Sequence, residues 1–240
     1  MGNSMSRFFS AIFSAIVAIV LTCFGTSITA LAGSSSSLQP VGTDMLCVTE
    51  GSLAALPDQG LSVTVPKMRA FVRYESRQAV EAHFEFEGRT HKVVPLESGE
   101  IREQFGLKLR AADACNLVYA MWRFKPTSSL VVSVKSNPGK HTSAECGNAG
   151  YTNIQPQSSK PVAAPLRDSS HTVRASFSAS ALRVFVDNEV VLEGDLPPGA
   201  FEFDGPVGVR SDNVRVQFRL FAPPPNDGGR LLACSRGTGD

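Results

Sequence analysis

The stretch FDGPVGVRSDNVRVQF, residues 203–218, is the strongest evidence in the sequence for the fold class because it joins two turn signals to one alternating strand. The glycine and proline at 205–206 predict a chain reversal that leads into a strand. The segment 211–213 predicts a second break, and the residues beyond it alternate between apolar and polar types. Such alternation is typical of an antiparallel strand with one buried and one wet face. The apolar residues expected to point inward are Val214, Val216 and Phe218.

Other segments repeat this strand pattern. Residues 80–87 alternate strictly, whereas residues 117–124 are apolar on both faces and predict a central strand. Asp187-Asn188 lies between two apolar runs and predicts a tight hairpin, because both residue types tolerate positive φ. Short antiparallel strands at this spacing predict an all-β sandwich or barrel. The remaining predicted strands are 104–111, 129–136 and 171–179.

The bulk composition allows one core and gives no sign of nucleic-acid binding. The chain has 240 residues, of which 42% are hydrophobic, enough to bury one substantial core. Lys and Arg number 23 and Asp and Glu 22, so the formal net charge is only +1. Because phosphate binding requires a concentrated basic surface, we expect no nucleic-acid partner.

The first 32 residues predict a secretory signal. Arg7 precedes an apolar run over 8–24, and the small-residue pattern Ala-Leu-Ala at 30–32 stands before a glycine. We therefore expect export to the periplasm or the extracellular space, with no transmembrane segment in the mature chain. The apolar run also approaches the length of a membrane helix, so an uncleaved N-terminal anchor is the alternative. Residues 33–44 then predict a Ser-rich linker.

Four of the five cysteines lie beyond the predicted cleavage site, an even number in an oxidising compartment. Four cysteines allow three pairings, and two observations favour one of them, Cys115 with Cys146 and Cys47 with Cys234. The inner pair brackets a candidate hairpin region, and the outer pair lies near the two ends of a compact domain. The sequence has no Cys-x-x-Cys and no histidine pair at ligand spacing, so we predict neither a metal site nor a cofactor.

Two long segments resemble concanavalin A-like, or laminin-G-like, jelly-roll domains. The run HTVRASFSASALRVFVDNEVVLEGDLPPGAFEFDGPVGVRSDNVRVQF at 171–218 is similar to their C-terminal half, and QFGLKLRAADACNLVYAMWRF at 104–124 is similar to the strand pair before it. The resemblance covers 60–222, and bacterial sugar-hydrolase-like domains of unknown specificity look closest. It implies an antiparallel two-sheet β-sandwich over 45–222. The proline- and glycine-rich stretch APPPNDGG at 222–229 predicts a flexible tail at 223–240.

The catalytic motif of the glucanases in that family is absent. Those enzymes place carboxylates two residues apart on one strand, close to Glu-x-Asp-x-x-Glu, and no strand here carries it. The alternative acid and base are in the outer row of 80–87, where side chains two residues apart lie about 7 Å from each other. Nearby cations, Lys108, Arg110 or Arg123, would tune their pKa values. The candidate catalytic residues are Glu81, Glu85 and Glu87, and a solvated sheet face is the simpler explanation.

Sugar binding requires exposed aromatic rings beside polar groups. Trp122 is expected in the core by parity, whereas Tyr119 and Arg123 share the opposite face and Tyr151 lies in a loop that can reach a rim. We therefore predict a non-catalytic binding module for a glycan or another cell-envelope component, with a glycoside-cleaving enzyme as the alternative. The candidate ligand-binding residues are His83, Lys108, Arg110, Tyr119, Arg123 and Tyr151.

The segment Asp168-Ser169-Ser170-His171 places the residue types of a serine-hydrolase triad side by side. Adjacency in sequence is not evidence for a triad, because the fold assembles its members. The chain also lacks the Gly-x-Ser-x-Gly elbow of the α/β-hydrolases. The pair Asp212-Asn213 is similarly explained as a turn rather than as a calcium site.

Overall fold

The computed structural model describes residues 37–76, 78–225 and 231–234. All of them belong to one compact unit, Ser36–Asp240. Strands are numbered β1 to β16 in chain order, and every pair of neighbouring strands is antiparallel. The predicted signal over 1–32 lies outside the described residues.

The strands form two sheets. The seven-stranded sheet has the spatial order β10 (Tyr151–Asn153), β9 (Ser129–Lys135), β8 (Leu117–Lys125), β7 (Glu103–Leu109), β15 (Gly208–Asp212), β5 (Lys67–Val72) and β2 (Leu46–Glu50). The nine-stranded sheet has the order β11 (Ser158–Ser159), β14 (Glu189–Asp195), β13 (Ala181–Val186), β12 (Ser169–Ser178), β6 (Ala79–Arg89), β16 (Val214–Ala222), β4 (Leu61–Val63) and β3 (Ala54–Ala55), with β1 (Gln39–Pro40) paired to the end of β16.

Helical segments in the described residues are short. One α-helix, α1, spans Ser143–Cys146, and three 3₁₀ helices span Thr43–Met45, Pro57–Gln59 and Pro198–Phe201. None of the helices in this part of the chain is long and apolar enough to cross a lipid bilayer. The architecture is the predicted all-β, antiparallel two-sheet sandwich.

The core lies between the sheets because alternate residues of each strand point inward. On β6 the inward row is Val80, Ala82, Phe84 and Phe86, as the alternation predicts. Across the core, Trp122 of β8 meets Phe84 edge-on with ring centroids 5.7 Å apart, a favoured aromatic geometry. The prediction that Trp122 is a core residue is confirmed, since it is only 1% exposed. The predicted central strand is also confirmed: β8 lies between β7 and β9.

The segment 203–218 crosses from one sheet to the other at a single residue. β15 belongs to the seven-stranded sheet and β16 to the nine-stranded sheet, and Asn213 alone separates them. Its φ of 56° places it in the left-handed region, which asparagine tolerates better than most residues. The predicted break is therefore shorter than 211–213, because Ser211 and Asp212 continue β15 and are fully buried.

The predicted hairpin is confirmed. Asp187 and Asn188 have φ values of 50° and 66°, and β13 and β14 pair directly on either side of them. Two residues with positive φ match the right-handed twist of the strands they join.

Both predicted disulfides are confirmed. Cys47 bonds Cys234 with Cα atoms 5.3 Å apart, and Cys115 bonds Cys146 with Cα atoms 5.9 Å apart. The first bond ties 231–234 to β2, and Leu232 N donates a hydrogen bond to Arg73 O at 2.6 Å. The domain limits at 33–44 and 223–240 stay predictions, although β1 lies inside the first segment and Cys234 inside the second.

Candidate functional site

A depression of about 330 Å³ lies on the outer face of the seven-stranded sheet. Its floor consists of outward-pointing side chains of the strands, and its walls come from the loop 90–102 and the segment 136–150. Six of its lining residues are Lys or Arg and three are Glu: Lys67, Arg69, Arg102, Arg123, Lys135 and Arg210 against Glu50, Glu97 and Glu100. The depression is therefore electropositive in a chain that is nearly neutral.

A buried charge cluster forms the floor. Asp212 is fully buried and accepts hydrogen bonds from Arg69 Nη2 at 2.6 Å, Gln104 Nε2 at 2.6 Å and Arg210 Nε at 2.9 Å. Burial by itself would raise the pKa of Asp212, but the attraction of Arg210 and Arg69 outweighs it and holds that pKa far below its usual range. The carboxylate thus stays ionised, and one negative charge faces two guanidinium groups.

Two cations and two tyrosine rings lie next to one another beside this cluster. The Arg210 guanidinium lies 4.6 Å from the centre of the Tyr119 ring, and Tyr119 stacks on Tyr151 with centroids 6.3 Å apart. Lys135 Nζ lies 5.2 Å from the Tyr151 ring. The cations stabilise the rings through their π-faces, and Tyr151 keeps 39% of its surface exposed. Part of the Tyr151 ring thus remains accessible to solvent.

Arg123 stands in this depression without a carboxylate partner among the described residues. Its Nε is buried and has no hydrogen-bond partner, while its neighbour Arg102 pairs with Glu100. Burial lowers the pKa of Arg123, the positive charges of Arg102 and Arg210 lower it further, and Glu100 opposes them. The guanidinium remains charged, because an arginine pKa starts so high, but its charge is poorly compensated.

Four buried polar atoms without hydrogen-bond partners gather in this depression. Such atoms are rare in folded proteins, because each costs about 1–3 kcal/mol when it is desolvated and unpaired. Glu50 Oε2 is 3.8 Å from Arg69 Nε, which is an ion-pair distance but too long for a hydrogen bond. The four atoms are Arg69 Nε, Arg123 Nε, Gln104 Oε1 and Glu50 Oε2, two donors and two acceptors.

Asn213 fixes the first wall. Its side-chain Oδ1 accepts from Val94 N at 2.8 Å, and its Nδ2 donates to Val94 O and Arg102 O, both at 2.9 Å. Thr90 N also donates to Asn213 O at 3.1 Å. The residue that carries the chain between the sheets therefore also holds the loop 90–102 over the depression.

The second wall is held by a disulfide and a helix cap. Cys115–Cys146 ties α1 to the start of β8, and Glu145 accepts from the backbone N–H groups of His141 and Thr142. These two backbone hydrogen bonds, with one from the Thr142 hydroxyl, lower the pKa of Glu145 to about 2. His141 Nδ1 lies 2.7 Å from Asp113 Oδ2, and this hydrogen bond and the charge of Asp113 raise the pKa of His141.

Three of the six predicted binding residues meet in the depression: Tyr119, Arg123 and Tyr151. Lys108 lies on the same face of the sheet but is only 1% exposed, so the outer position predicted for it is covered. Arg110 directly follows β7, has a φ of 50° and donates to Ala200 O and Phe203 O, away from the outer face predicted for it.

The predicted grouping of those cations with the glutamate row is wrong. The row Glu81, His83, Glu85 and Glu87 lies on β6, which belongs to the nine-stranded sheet. Lys108 and Arg123 lie on β7 and β8 of the other sheet, and Arg110 directly follows β7. A core separates the two outer faces, so these cations cannot tune the carboxylates. Period-two alternation gives the face of a strand but not the sheet it joins.

The glutamate row lies beside a second, wider hollow. A groove of about 700 Å³ on the outer face of the nine-stranded sheet is lined by His83 and Glu85, but not by Glu81 or Glu87. Glu81 contacts His83 Nε2 at 2.5 Å and Arg174 at 4.0 Å, and Glu87 accepts from Gln217 Nε2. Two of the three candidate catalytic carboxylates are thus already engaged with neighbours.

Ser169 and His171 of the Asp-Ser-Ser-His segment form a hydrogen-bonded chain with Asp187, a residue that the segment does not contain. Ser169 Oγ lies 2.9 Å from His171 Nε2, and His171 Nδ1 lies 2.7 Å from Asp187 Oδ2. Ser169 Oγ also donates to Leu166 O, and Asp187 Oδ1 accepts from Thr172 N at 2.8 Å. The single hydroxyl proton of Ser169 cannot be donated both to Leu166 O and to a neutral His171 ring. These hydrogen bonds therefore favour a structural role, in which they hold β12 against the hairpin at Asp187.

Sequence reasoning missed the buried charge cluster and Lys135. A signal was present: in β5 and β15 the charged residues Arg69, Arg210 and Asp212 occupy one parity, and the other parity holds Met68, Ala70, Val72, Val209 and Ser211 and no charged residue. Among the described residues, no group of three His, Cys, Asp or Glu side chains is placed to hold a metal ion.

Two antiparallel sheets packed on one core, with the chain crossing between them, define a concanavalin A-like jelly roll. The fold is similar to that of CBM66, a carbohydrate-binding module from Bacillus subtilis, at 11% identity and a TM-score of 0.51, covering 72% of this chain and 91% of that chain. It also matches domain 4 of AbnA, a GH43 extracellular arabinanase from Geobacillus stearothermophilus, at 9% identity and a TM-score of 0.42, covering 76% and 84%.

Galectin LEC-6 from Caenorhabditis elegans matches at 10% identity and a TM-score of 0.38, covering 75% of this chain and 98% of that chain. At such identities the similarity shows the fold alone. No protein-family model and no curated protein sequence matches this chain.

Proposed function

We propose that this protein is an exported, non-catalytic module that binds a glycan, or another glycan-bearing component of the cell envelope, in the depression of the seven-stranded sheet. One observation carries the proposal: exposed Tyr151 lines the same depression as two buried donors and two buried acceptors that have no hydrogen-bond partners. A sugar offers an apolar ring face for stacking and hydroxyl groups that both donate and accept. It therefore satisfies both features at once.

Two further facts support the proposal. Two disulfides in one small domain indicate an oxidising compartment, which fits the signal predicted over 1–32. The fold is shared with CBM66, whose name describes it as a carbohydrate-binding module. The volume of about 330 Å³ is at the lower end of the usual range for small-ligand pockets and suits a short stretch of a glycan chain.

The proposal is tested with a glycan array and then by calorimetric titration of any glycan bound, using the full chain with both disulfides oxidised. Tyr151→Ala should weaken binding at least about tenfold, because a central aromatic contact of this kind contributes more than 1 kcal/mol. Phe201→Ala is the matched control, since Phe201 is an aromatic residue with 40% exposure that does not line the depression.

Binding that survives Tyr151→Ala and falls with Phe201→Ala would move the site away from the depression. Failure of every glycan on the array to bind would remove the proposed function.

A further inference from the structure

We propose that the ligand of the depression is an anionic sugar, one whose carboxylate or sulfate group pairs with Arg123. This inference rests on the proposed function and names the chemical class of its ligand. It concerns the charge of the sugar, which a general glycan-binding site leaves open.

The argument begins with which cations of the depression already have partners. Arg69 and Arg210 share Asp212, and Arg102 pairs with Glu100. Lys135 Nζ donates to Ala114 O at 3.0 Å and lies over the Tyr151 ring. Within the described residues, Lys67 and Arg123 have no carboxylate at ion-pair distance, and Arg123 in addition has a buried Nε without a hydrogen-bond partner. It is the guanidinium best placed to receive an anion.

Burial makes that lone charge costly in the unliganded protein. Arg123 is half-buried, and desolvation together with Arg102 and Arg210 lowers its pKa, which measures how far the surroundings disfavour the charged form. An oxyanion placed against the guanidinium reverses this cost. A guanidinium also matches carboxylate and sulfate geometry, because its donors form a planar fork.

The same surroundings argue against a ligand that is anionic throughout. Gln104 Oε1 and Glu50 Oε2 are acceptors without hydrogen-bond partners, so a ligand that offers donors suits them better than one that offers none. A phosphate-rich molecule supplies few donors, whereas a sugar supplies several hydroxyl groups. One anionic group, several hydroxyl groups and one ring face for Tyr151 together describe an acidic or sulfated sugar.

The test compares ligands that differ only in charge. Oligogalacturonate provides the carboxylate, the same oligomer with its carboxyl groups reduced to alcohols provides the neutral match, and a sulfated oligosaccharide provides the sulfate. Each is titrated into the full, oxidised chain at low and high salt. We expect the charged oligomer to bind at least about tenfold more tightly than its reduced form, with the difference shrinking at high salt.

Variants then locate the contact. Arg123→Gln should weaken binding of the charged oligomer about ten- to a hundredfold and that of the reduced oligomer much less, so that most of the preference for the charged form is lost. Arg123→Lys should recover only part of the loss, because it keeps the charge without the planar fork. Arg183→Gln is the control: it removes one positive charge from the exposed face of the other sheet, where Arg183 pairs with Glu193.

Every outcome decides a question. Equal affinity for the charged, reduced and sulfated oligomers, or an equal effect of Arg123→Gln and Arg183→Gln, overturns the anionic assignment while glycan binding itself stands. Binding of neutral glycans without binding of charged ones also overturns the anionic assignment. A preference for the sulfated oligosaccharide supports the inference with sulfate as the anion. Absence of binding to any glycan removes the proposed function and, with it, this inference.

Discussion

Ion pairs on the outer face of the nine-stranded sheet are exposed to solvent, whereas the ion pairs of Asp212 on the outer face of the seven-stranded sheet are buried. Arg183–Glu193 and Lys160–Glu189 are exposed pairs of the first kind. Asp212 between Arg69 and Arg210 is the second kind, with almost no exposure. Exposed pairs contribute about 0–1 kcal/mol, and a buried charge is tolerated only with full compensation. The seven-stranded face therefore carries a structural cost that the other face avoids, which is expected of a functional surface.

The largest effect should come from breaking the buried charge cluster. Asp212→Asn leaves the Arg69 and Arg210 guanidinium groups without their shared carboxylate and should lower the free energy of unfolding by about 3–5 kcal/mol. Urea denaturation measures this loss. Glu193→Gln, which breaks an exposed pair on the other sheet, should cost less than about 1 kcal/mol. Equal losses from the two variants would show that the two faces do not differ in this way.

A somewhat smaller effect should follow from opening the second wall of the depression. Replacing Cys115 and Cys146 together by Ala removes a cross-link that spans 31 residues, worth about 3–4 kcal/mol in the chain-entropy model. The wall that contains α1 should loosen and glycan affinity should fall, while the fluorescence of Trp122 in the folded protein stays unchanged because the core is untouched. Unchanged affinity in the folded double variant would show that this wall does not shape the site.

Neutralising two residues of the glutamate row should have little effect on glycan affinity or on the free energy of unfolding. Glu85→Gln together with Glu87→Gln alters the face opposite the depression, so glycan affinity should change by less than about twofold, and the unfolding free energy by less than about 0.5 kcal/mol. A screen for release of reducing sugar from each glycan bound should detect no turnover in either protein. Turnover by the original chain that the double variant abolishes would restore the glycoside-cleaving alternative.

The smallest effect is a local pH dependence in the second wall. The hydrogen bonds that lower the pKa of Glu145 to about 2 from an ordinary value of 4.5 favour the folded helix cap. Their contribution is therefore complete above about pH 4.5 and is lost as the pH falls towards 2. NMR titration of the Glu145 carboxyl should show this low pKa, and Thr142→Val should raise it by removing one donor. An ordinary pKa for Glu145 in the original chain would contradict the cap geometry.

Alternation and turn chemistry predicted most of the fold from the sequence. The row on β6, the buried β8 and the hairpin at Asp187-Asn188 are local features, and local residue types specify them. The resemblance to jelly-roll domains supplied the two-sheet arrangement that local patterns leave undecided.

The site was predicted only in part, because its members come from distant strands. Tyr119 and Arg123 share one face of one strand, so parity placed them together. Arg69 and Asp212 are 143 residues apart, and no local pattern links them. The misplacement of Lys108 and Arg110 has the same origin, since assignment of a strand to a sheet depends on long-range pairing. Only the folded chain reveals that Asp212 is a floor residue and not part of a turn.

Asn213 links the crossover between the two sheets to the wall of the depression. Its backbone carries the chain from one sheet to the other, and its amide holds the loop that overhangs the depression. Substitutions at the tip of that loop, around Glu97 and Ser98, should therefore leave this anchor in place. In a designed library, residues 96–100 are the positions to randomise, while a glycine at 213 would preserve the crossing and release the loop.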